Sequence, residues 1–125
     1  MILLLDAHAV LWWLADDEAL DPQARAAVAD PVNDVLVSAA TVWEIAIKQA
    51  LGKLDAPRGL VSAVEQAGID VLPVTGADAE FAGGLPAHHR DPFDRMLVAQ
   101  ATRLSALLVS RDDAFTAYDV NVLRA

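Results

Sequence analysis

The stretch Ile2–Ala15, ILLLDAHAVLWWLA, joins two different patterns of apolar residues. Its first part, ILLL, is long enough for a buried β-strand and too short for a helix. Asp6 ends this run, and the AHAVLWWLA that follows is typical of a helix. A buried strand that passes directly into a helix is the repeating unit of parallel α/β folds.

The same stretch argues against export and membrane insertion. No Lys or Arg precedes the apolar run, as a secretory signal requires, and Asp6 interrupts it before the roughly 18 apolar residues of a spanning helix. The chain has no cysteine, so neither a disulfide nor a cysteine-based zinc site can form. We therefore expect a soluble protein of the cytoplasm.

The alternation of strand and helix patterns continues along the chain. Further strand-like runs are predicted at residues 34–38, 69–74, 106–110 and, at a sheet edge, 119–123. Helical patterns are predicted at residues 7–15, 22–30, 39–54, 57–68, 76–85 and 92–104. A length of 125 residues suits one ordinary domain. We expect a single domain, residues 1–125, built as a three-layer α/β/α sandwich around a central parallel sheet.

Acidic residues follow the predicted strands. Asp6 comes directly after the first strand, and Glu44 lies about one turn into the helix that follows the second. Asp94 lies near the start of the helix at 92–104, and Asp112 comes just after the fourth strand. Because strand-to-helix junctions of a parallel sheet face one edge, we expect these carboxylates to share a crevice there.

Carboxylates that share a crevice repel one another unless a cation compensates their charge. Oxygen ligands without His or Cys select Mg²⁺ or Mn²⁺ over zinc. Such a cation can activate a water molecule and neutralise charge on a phosphate. The pattern therefore predicts metal-dependent cleavage of a phosphodiester.

Two of these acids also have a simpler explanation near their own helix. Asp6 can cap the helix that begins at Ala7. Glu44 lies three residues after Thr41, and the segment TVWE matches a capping box. We expect Trp43, beside Glu44, to be a core residue.

The later acids have local explanations as well. Asp91 precedes Pro92, so it is expected to be an N-cap, and Asp94 would then interact with the helix dipole. Asp112 or Asp113 can be a turn residue. The case for a site therefore depends on the acids lying together, since independent caps would be scattered over both edges of the sheet.

The net charge of −9 opposes binding to a polyanion. The positions of the arginines weaken this objection to polyanion binding, because several of them fall in the stretch that carries the acids. Arg90, Arg95 and Arg111 are the candidates for contacts with a nucleic acid backbone. The histidines, His8, His88 and His89, are expected to be solvated or to lie at helix starts rather than to act as ligands.

Four segments resemble the motif blocks of PIN-domain proteins, specifically the VapC-type toxins of bacterial toxin–antitoxin pairs. They are LLLDAHAVLWWL (3–14), VSAATVWEIAIKQALGKL (37–54), HRDPFDRMLVAQA (89–101) and LVSRDDAFTAYDV (108–120). The resemblance implies a Mg²⁺- or Mn²⁺-dependent endoribonuclease with a PIN-like, Rossmann-like sheet. It also implies RNA as substrate, a homodimer, and a cognate VapB-like antitoxin that neutralises the enzyme.

By motif position, Asp6, Glu44, Asp94 and Asp112 match the family's four acids. The resemblance makes Asp6, Asp94 and Asp112 the expected metal ligands, and Glu44 the residue that positions or activates the attacking water. Two features depart from the family pattern. Ala7 stands where Ser or Thr is usual, and Asp113 adjoins Asp112, although the spacing of SRDDAF selects Asp112.

Two alternatives remain. A phosphoacceptor receiver domain has a similar size and acidity, but it places an Asp after its third strand and a Lys after its fifth. Here the third strand ends in LPVTGAD, and no lysine follows Lys53. A catalytically inactive PIN fold that only binds partners is the second alternative, and the presence of all four acids argues against it.

Overall fold

The computed structural model describes residues 1–125, and its centre is a sheet of five strands that are all parallel. The strands are β1 (Ile2–Leu5), β2 (Asp34–Ser38), β3 (Asp70–Leu72), β4 (Leu107–Ser110) and β5 (Val122–Arg124). The helices are α1 (Ala7–Leu14), α2 (Pro22–Ala29), α3 (Ala39–Ala50), α4 (Leu60–Gln66), α5 (Gly76–Gly83) and α6 (Pro92–Leu104). A 3₁₀ turn, Asp113–Ala117, connects β4 to β5. No helix has both the length and the apolar character needed to cross a membrane.

The alternation of side chains along the strands divides the core into two layers. Leu3 and Leu5 of β1 pack in one cluster, with side chains from α1, α2, α3 and α4. Leu4 points to the opposite face and packs against α6 and the 3₁₀ turn, whose Phe115 is fully buried. Helices on both faces of a parallel sheet are the predicted three-layer α/β/α architecture.

The strand order is β3-β2-β1-β4-β5, so the direction of winding reverses beside β1. β1 pairs with β2 on one side and with β4 on the other. The crevice at the carboxyl ends of β1 and β4 is therefore the topological switch point, where open α/β sheets bind ligands.

Helix α3 begins at residue 39 as predicted, but its N-terminal cap and its last residue differ from the prediction. Ser38 is its N-cap, and the Ser38 hydroxyl accepts a hydrogen bond from the Ala40 N–H at 3.0 Å. Thr41 therefore lies inside the helix, and the predicted capping box with Glu44 is wrong. The helix stops at Ala50 and is followed by Gly52, whose φ of +70° is the conformation that glycine adopts without strain.

The prediction that Trp43 lies in the core is also wrong. Its side chain is 64 % exposed and contacts the edge of Phe93 on α6, with 5.3 Å between the ring centroids. Glu44, the next residue, is buried instead. Successive helical residues point about 100° apart, so the two side chains cannot both face the sheet.

Helices α5 and α6 are joined through one buried carboxylate. Asp78 Oδ1 accepts a hydrogen bond from Arg103 Nε at 2.5 Å, and Asp78 Oδ2 accepts one from Arg103 Nη2 at 3.0 Å. Asp78 also closes a capping box with Thr75 and accepts a hydrogen bond from Gln100. Hydrogen bonds from the Arg103 guanidinium hold the pKa of Asp78 at about 2, below its usual value of 3.8.

We expect Asp78→Asn to lower the free energy of unfolding at pH 7 by about 2 kcal/mol, because it weakens hydrogen bonds between charged groups. The ionised carboxylate stabilises the fold above pH 4, and this contribution is lost as the pH falls towards 2. Urea unfolding should therefore show a difference between variant and parent that shrinks below pH 4. Asp55→Asn, at an exposed position, is the control and should be neutral. A loss that is constant between pH 7 and pH 2.5 would contradict the assignment.

Candidate active site

A cleft of about 470 Å³ opens at the switch point, beyond the carboxyl ends of β1 and β4. All four acids predicted from the sequence lie in its wall. The residues that line the cleft are Asp6, Ala7, His8, Trp12, Glu44, Lys48, Asp91, Asp94, Arg111 and Asp112. The expected convergence of carboxylates is thus present, although Asp113 is outside it.

Asp6 both caps α1 and faces the cleft. Its Oδ1 accepts a hydrogen bond from the Ala9 N–H at 2.9 Å, and its own N–H donates to the Val109 carbonyl of β4 at 3.1 Å. Burial raises the pKa of Asp6, and hydrogen bonding to the Ser110 side chain partly offsets this effect. Capping and site formation are therefore two roles of one carboxylate rather than alternatives.

Ser110 connects the ends of β1 and β4. Its buried hydroxyl oxygen accepts a hydrogen bond from the Asp112 N–H at 3.0 Å, and its side chain is hydrogen-bonded to Asp6. Asp112 itself caps the 3₁₀ turn through the Ala114 N–H. This contact fixes the backbone of Asp112 next to Asp6, while the Asp112 side chain stays about half exposed at 49 %.

Asp94 lies one turn into α6, as predicted, and Asp91 caps that helix. Asp91 Oδ1 accepts hydrogen bonds from the N–H groups of Phe93 and Asp94 at 2.8 and 3.1 Å. Burial, together with the negative charge of Asp91, raises the pKa of Asp94 to about 6. Asp94 Oδ2 lies 2.6 Å from Nε2 of His89.

Glu44 is buried on α3 and pairs with a lysine one turn further along the helix. Lys48 Nζ lies 2.8 Å from Glu44 Oε2, and the Lys48 side chain is 41 % exposed. The hydrogen bond to Glu44 raises the pKa of Lys48, and the charges of Asp91 and Asp94 add to the effect. Lys48 therefore brings a fixed positive charge to the wall of an acidic cleft.

The donor atoms of the cleft fit a divalent cation. Asp94, Asp112 and His89 each offer a ligand atom, and these atoms all lie within 4.8 Å of one another. Asp6 adds a carboxylate from the neighbouring strand end. Carboxylate oxygens are the ligands that Mg²⁺ and Mn²⁺ prefer.

The three predicted nucleic-acid contacts differ in their surroundings. Arg90 is exposed, and Arg111 lies over the ring of Trp12, with 4.4 Å between its guanidinium carbon and the ring centroid. Arg111 Nη2 donates to the carbonyls of Ala19 and Ala125, which leaves its Nη1 and Nε without such partners.

Arg95 is engaged with the backbone of its own loop. Its two terminal nitrogens donate to the carbonyl oxygens of Ala82, Gly83, Leu85, Pro86 and His89. The guanidinium therefore holds together the segment between α5 and α6. A phosphate that bound the two terminal nitrogens would have to replace these hydrogen bonds.

Sequence reasoning missed Lys48 in the wall of the cleft and His89, which contacts Asp94. Lys48 could have been found, because it follows Glu44 by four residues, which is the spacing of helical ion pairs. His89 was expected to be solvated, yet it is only 22 % exposed and points at Asp94. Its position depends on a loop conformation for which the sequence carries no periodic signal.

A family model described as PIN domain matches residues 3–121. The chain belongs to the PIN-domain family. PIN domains are generally metal-dependent nucleases, which agrees with the acidic cleft. No curated protein matches the chain in sequence.

Solved structures of low sequence identity share the fold. The crystal structure of VapBC2 from Rickettsia felis, bound to a DNA fragment from the promoter, has a similar chain with a TM-score of 0.72 and 12 % identity, covering 99 % of this chain and 98 % of that one. FitAcB from Neisseria gonorrhoeae gives 0.66 and 20 % identity, with coverage of 98 % and 96 %. VapBC-1 from nontypeable Haemophilus influenzae gives 0.62 and 19 %, with coverage of 99 % and 98 %.

The raised pKa of Asp94 generates a prediction for stability. The folded protein binds this proton more tightly than the unfolded chain does, so an ionised Asp94 costs stability as the pH rises from about 4 to above 6. In EDTA at pH 8 we expect Asp94→Asn to be more stable than the parent by roughly 1 to 3 kcal/mol. The gain should shrink towards pH 4. Chemical unfolding at both pH values provides the measurement.

A divalent cation should stabilise the parent much more than it stabilises Asp94→Asn. Mn²⁺ should raise the melting temperature of the parent, because it binds only the folded state, and should raise that of Asp94→Asn little. Asp113→Asn, altered just outside the cleft, should respond like the parent. A parent that melts at a higher temperature in EDTA than in Mn²⁺ would refute the cation site.

Proposed function

We propose that the protein is a Mg²⁺- or Mn²⁺-dependent endoribonuclease toxin, formed as a single PIN domain over residues 1–125. The observation that carries the proposal is the convergence of Asp6, Glu44, Asp94 and Asp112 in one cleft at the switch point. The membership of the PIN family and the likeness to toxin–antitoxin structures support it. RNA cleavage would take place in the cytoplasm.

In this proposal Asp6, Asp94 and Asp112 hold the cation. Bound there, the cation would lower the pKa of the attacking water and neutralise the developing charge on the phosphate. Glu44 orients that water and accepts its proton, and Lys48 keeps the Glu44 carboxylate in place through their 2.8 Å contact.

The phosphate backbone of RNA needs positive charge near the cleft, because the chain as a whole carries −9. We assign this role to Arg111 and Lys48 in the cleft wall and to Arg90 beside it. Arg95 is assigned to the loop instead, because backbone carbonyls occupy its guanidinium. Ala7, where the family usually has Ser or Thr, leaves the binding of water or RNA to these side chains.

The competing classes are less well supported. A receiver domain would need a free phosphoacceptor Asp after its third strand, whereas Asp78, in the helix after β3, is bound to Arg103. The match to the PIN family argues against this class as well. An inactive PIN fold would not need to hold four carboxylates together against their mutual repulsion.

The proposal includes a cognate VapB-like antitoxin as partner. Its support is that similar structures are VapBC and FitAB assemblies.

The proposal also includes a homodimer. Three apolar side chains are exposed: Trp43 of α3 at 64 %, Leu51 directly after α3 at 63 %, and Val61 of α4 at 41 %. A second copy that covered such side chains would remove apolar area from water.

The nuclease assay compares purified parent, Asp94→Asn and Glu44→Gln on single-stranded and structured RNAs, with Mg²⁺, Mn²⁺ or EDTA. We expect cleavage only with a divalent cation, and we expect either substitution to lower kcat about a hundredfold or more. Asp113→Asn is the matched control and should cleave like the parent. Equal cleavage by Asp94→Asn, or cleavage in EDTA, would refute the mechanism; no cleavage by the parent of any RNA would favour the inactive binding module.

The dimer has its own test. Light scattering should give the parent about twice the monomer mass of 13.3 kDa, and Trp43→Glu should shift it towards the monomer. Phe81→Glu, at another exposed aromatic residue on α5, should leave the mass unchanged. A monomeric parent would overturn the dimer.

A further inference from the structure

We infer that His89 is a direct ligand of the cation through Nε2, and that the site therefore prefers Mn²⁺ to Mg²⁺. The inference rests on the proposed cation site and extends it. It replaces an all-carboxylate ligand set by one that contains an imidazole nitrogen.

The imidazole of His89 lies close to two of the acids. Nε2 lies 2.6 Å from Asp94 Oδ2 and 3.8 Å from Asp112 Oδ2. Neighbouring ligands of an octahedral cation with bonds of about 2.1 Å lie about 3 Å apart, and opposite ligands lie about 4 Å apart. The two separations from Nε2 are within about half an ångström of these values, and the ligand atoms of Asp94 and Asp112 lie within 4.8 Å of each other, so side-chain movements can bring all three to one cation.

The loop fixes the backbone of His89. Its N–H donates to the Tyr118 hydroxyl at 3.0 Å, and that hydroxyl donates to the Pro86 carbonyl at 2.8 Å. The His89 carbonyl accepts a hydrogen bond from Arg95 Nη1 at 3.2 Å. Both backbone groups of His89 are thus held by side chains from other parts of the fold.

The ring of His89 is confined as well. It packs edge-on against the buried Phe115, with 6.3 Å between centroids, and is only 22 % exposed. His88, one residue earlier, is exposed and lies against Tyr118 instead. The same loop therefore directs one histidine to the acids and leaves the other in solvent.

An imidazole ligand distinguishes between Mg²⁺ and Mn²⁺. Mg²⁺ and Mn²⁺ both accept carboxylate oxygens, but an imidazole nitrogen is a softer ligand, so it disfavours the hard cation Mg²⁺ more than the transition-metal ion Mn²⁺. A histidine that merely donated a hydrogen bond to Asp94 would remain outside the coordination shell. The two roles differ in whether a nitrogen is bonded to the metal.

The test is pulsed electron paramagnetic resonance on the full-length protein loaded with Mn²⁺. We expect modulation from a directly coordinated nitrogen, and we expect the pattern to change when histidine is labelled with ¹⁵N. His89→Gln should lose the nitrogen signal, and His88→Gln should keep it. Circular dichroism checks that each variant is folded, and the spectrum of the parent provides a readout that needs no variant.

Calorimetric titrations give a second readout. His89→Gln should weaken Mn²⁺ binding by about tenfold or more, with a smaller loss for Mg²⁺, while His88→Gln should change neither. If Mn²⁺ binds the parent without a nitrogen signal, or if the signal survives in His89→Gln and so comes from His8, the inference is wrong and the cation site stands. If neither cation binds the parent, the proposed function fails together with it.

Discussion

The parallel pairing of β1 with β4 is the contact on which the candidate site depends. It places Asp6 and Asp112, more than a hundred residues apart in the chain, at one edge of the sheet. The hydrogen bond from the Asp6 N–H to the Val109 carbonyl continues that pairing past Leu5, and the hydrogen bond from the Asp112 N–H to the Ser110 hydroxyl fixes the turn after β4. Because β4 is inserted beside β1 rather than after β3, the crevice opens between them, and α3 and α6 bring Glu44 and Asp94 to it.

The carboxylates in the cleft lose hydration and repel one another, which opposes folding. Interactions elsewhere in the molecule compensate for this cost in stability. Burial raises the pKa values of Asp6 and Asp94, which shows that their ionised forms are poorly solvated there. Nearby cationic partners are few, with Lys48 paired to Glu44. By contrast, Asp78 joins α5 to α6 through its ion pair with Arg103, and this pair lowers the pKa of Asp78. Asp78 thus stabilises the packing of α5 against α6, whereas burial of the acids in the cleft costs stability.

The sequence alone predicts the architecture and the convergence of four acids in one cleft, for a physical reason. Strand runs such as ILLL, and the acids that follow them, can be recognised from neighbouring residues alone. Because parallel strands all end at the same edge of the sheet, acids that follow them are placed at that edge. The directions of single side chains are another matter. Trp43 is apolar yet exposed, because helix geometry gives the inward position to Glu44. Arg95 and His89 are placed by a loop whose hydrogen bonds join distant parts of the chain, and composition and spacing do not encode such contacts.

The loop held by Arg95 and Tyr118 has a consequence for how the motif HRDPFDR is interpreted. Its histidine contacts its second aspartate, which lines the cleft, whereas its second arginine donates hydrogen bonds to the backbone of the same loop. Neighbouring residues of the motif therefore have different roles, one set in the cleft and one in the loop that borders it. In a toxin of the kind proposed, a deep mutational scan scored by toxicity would show both as intolerant, and a parallel scan of protein abundance would separate the residues of the cleft from the residue that holds the loop.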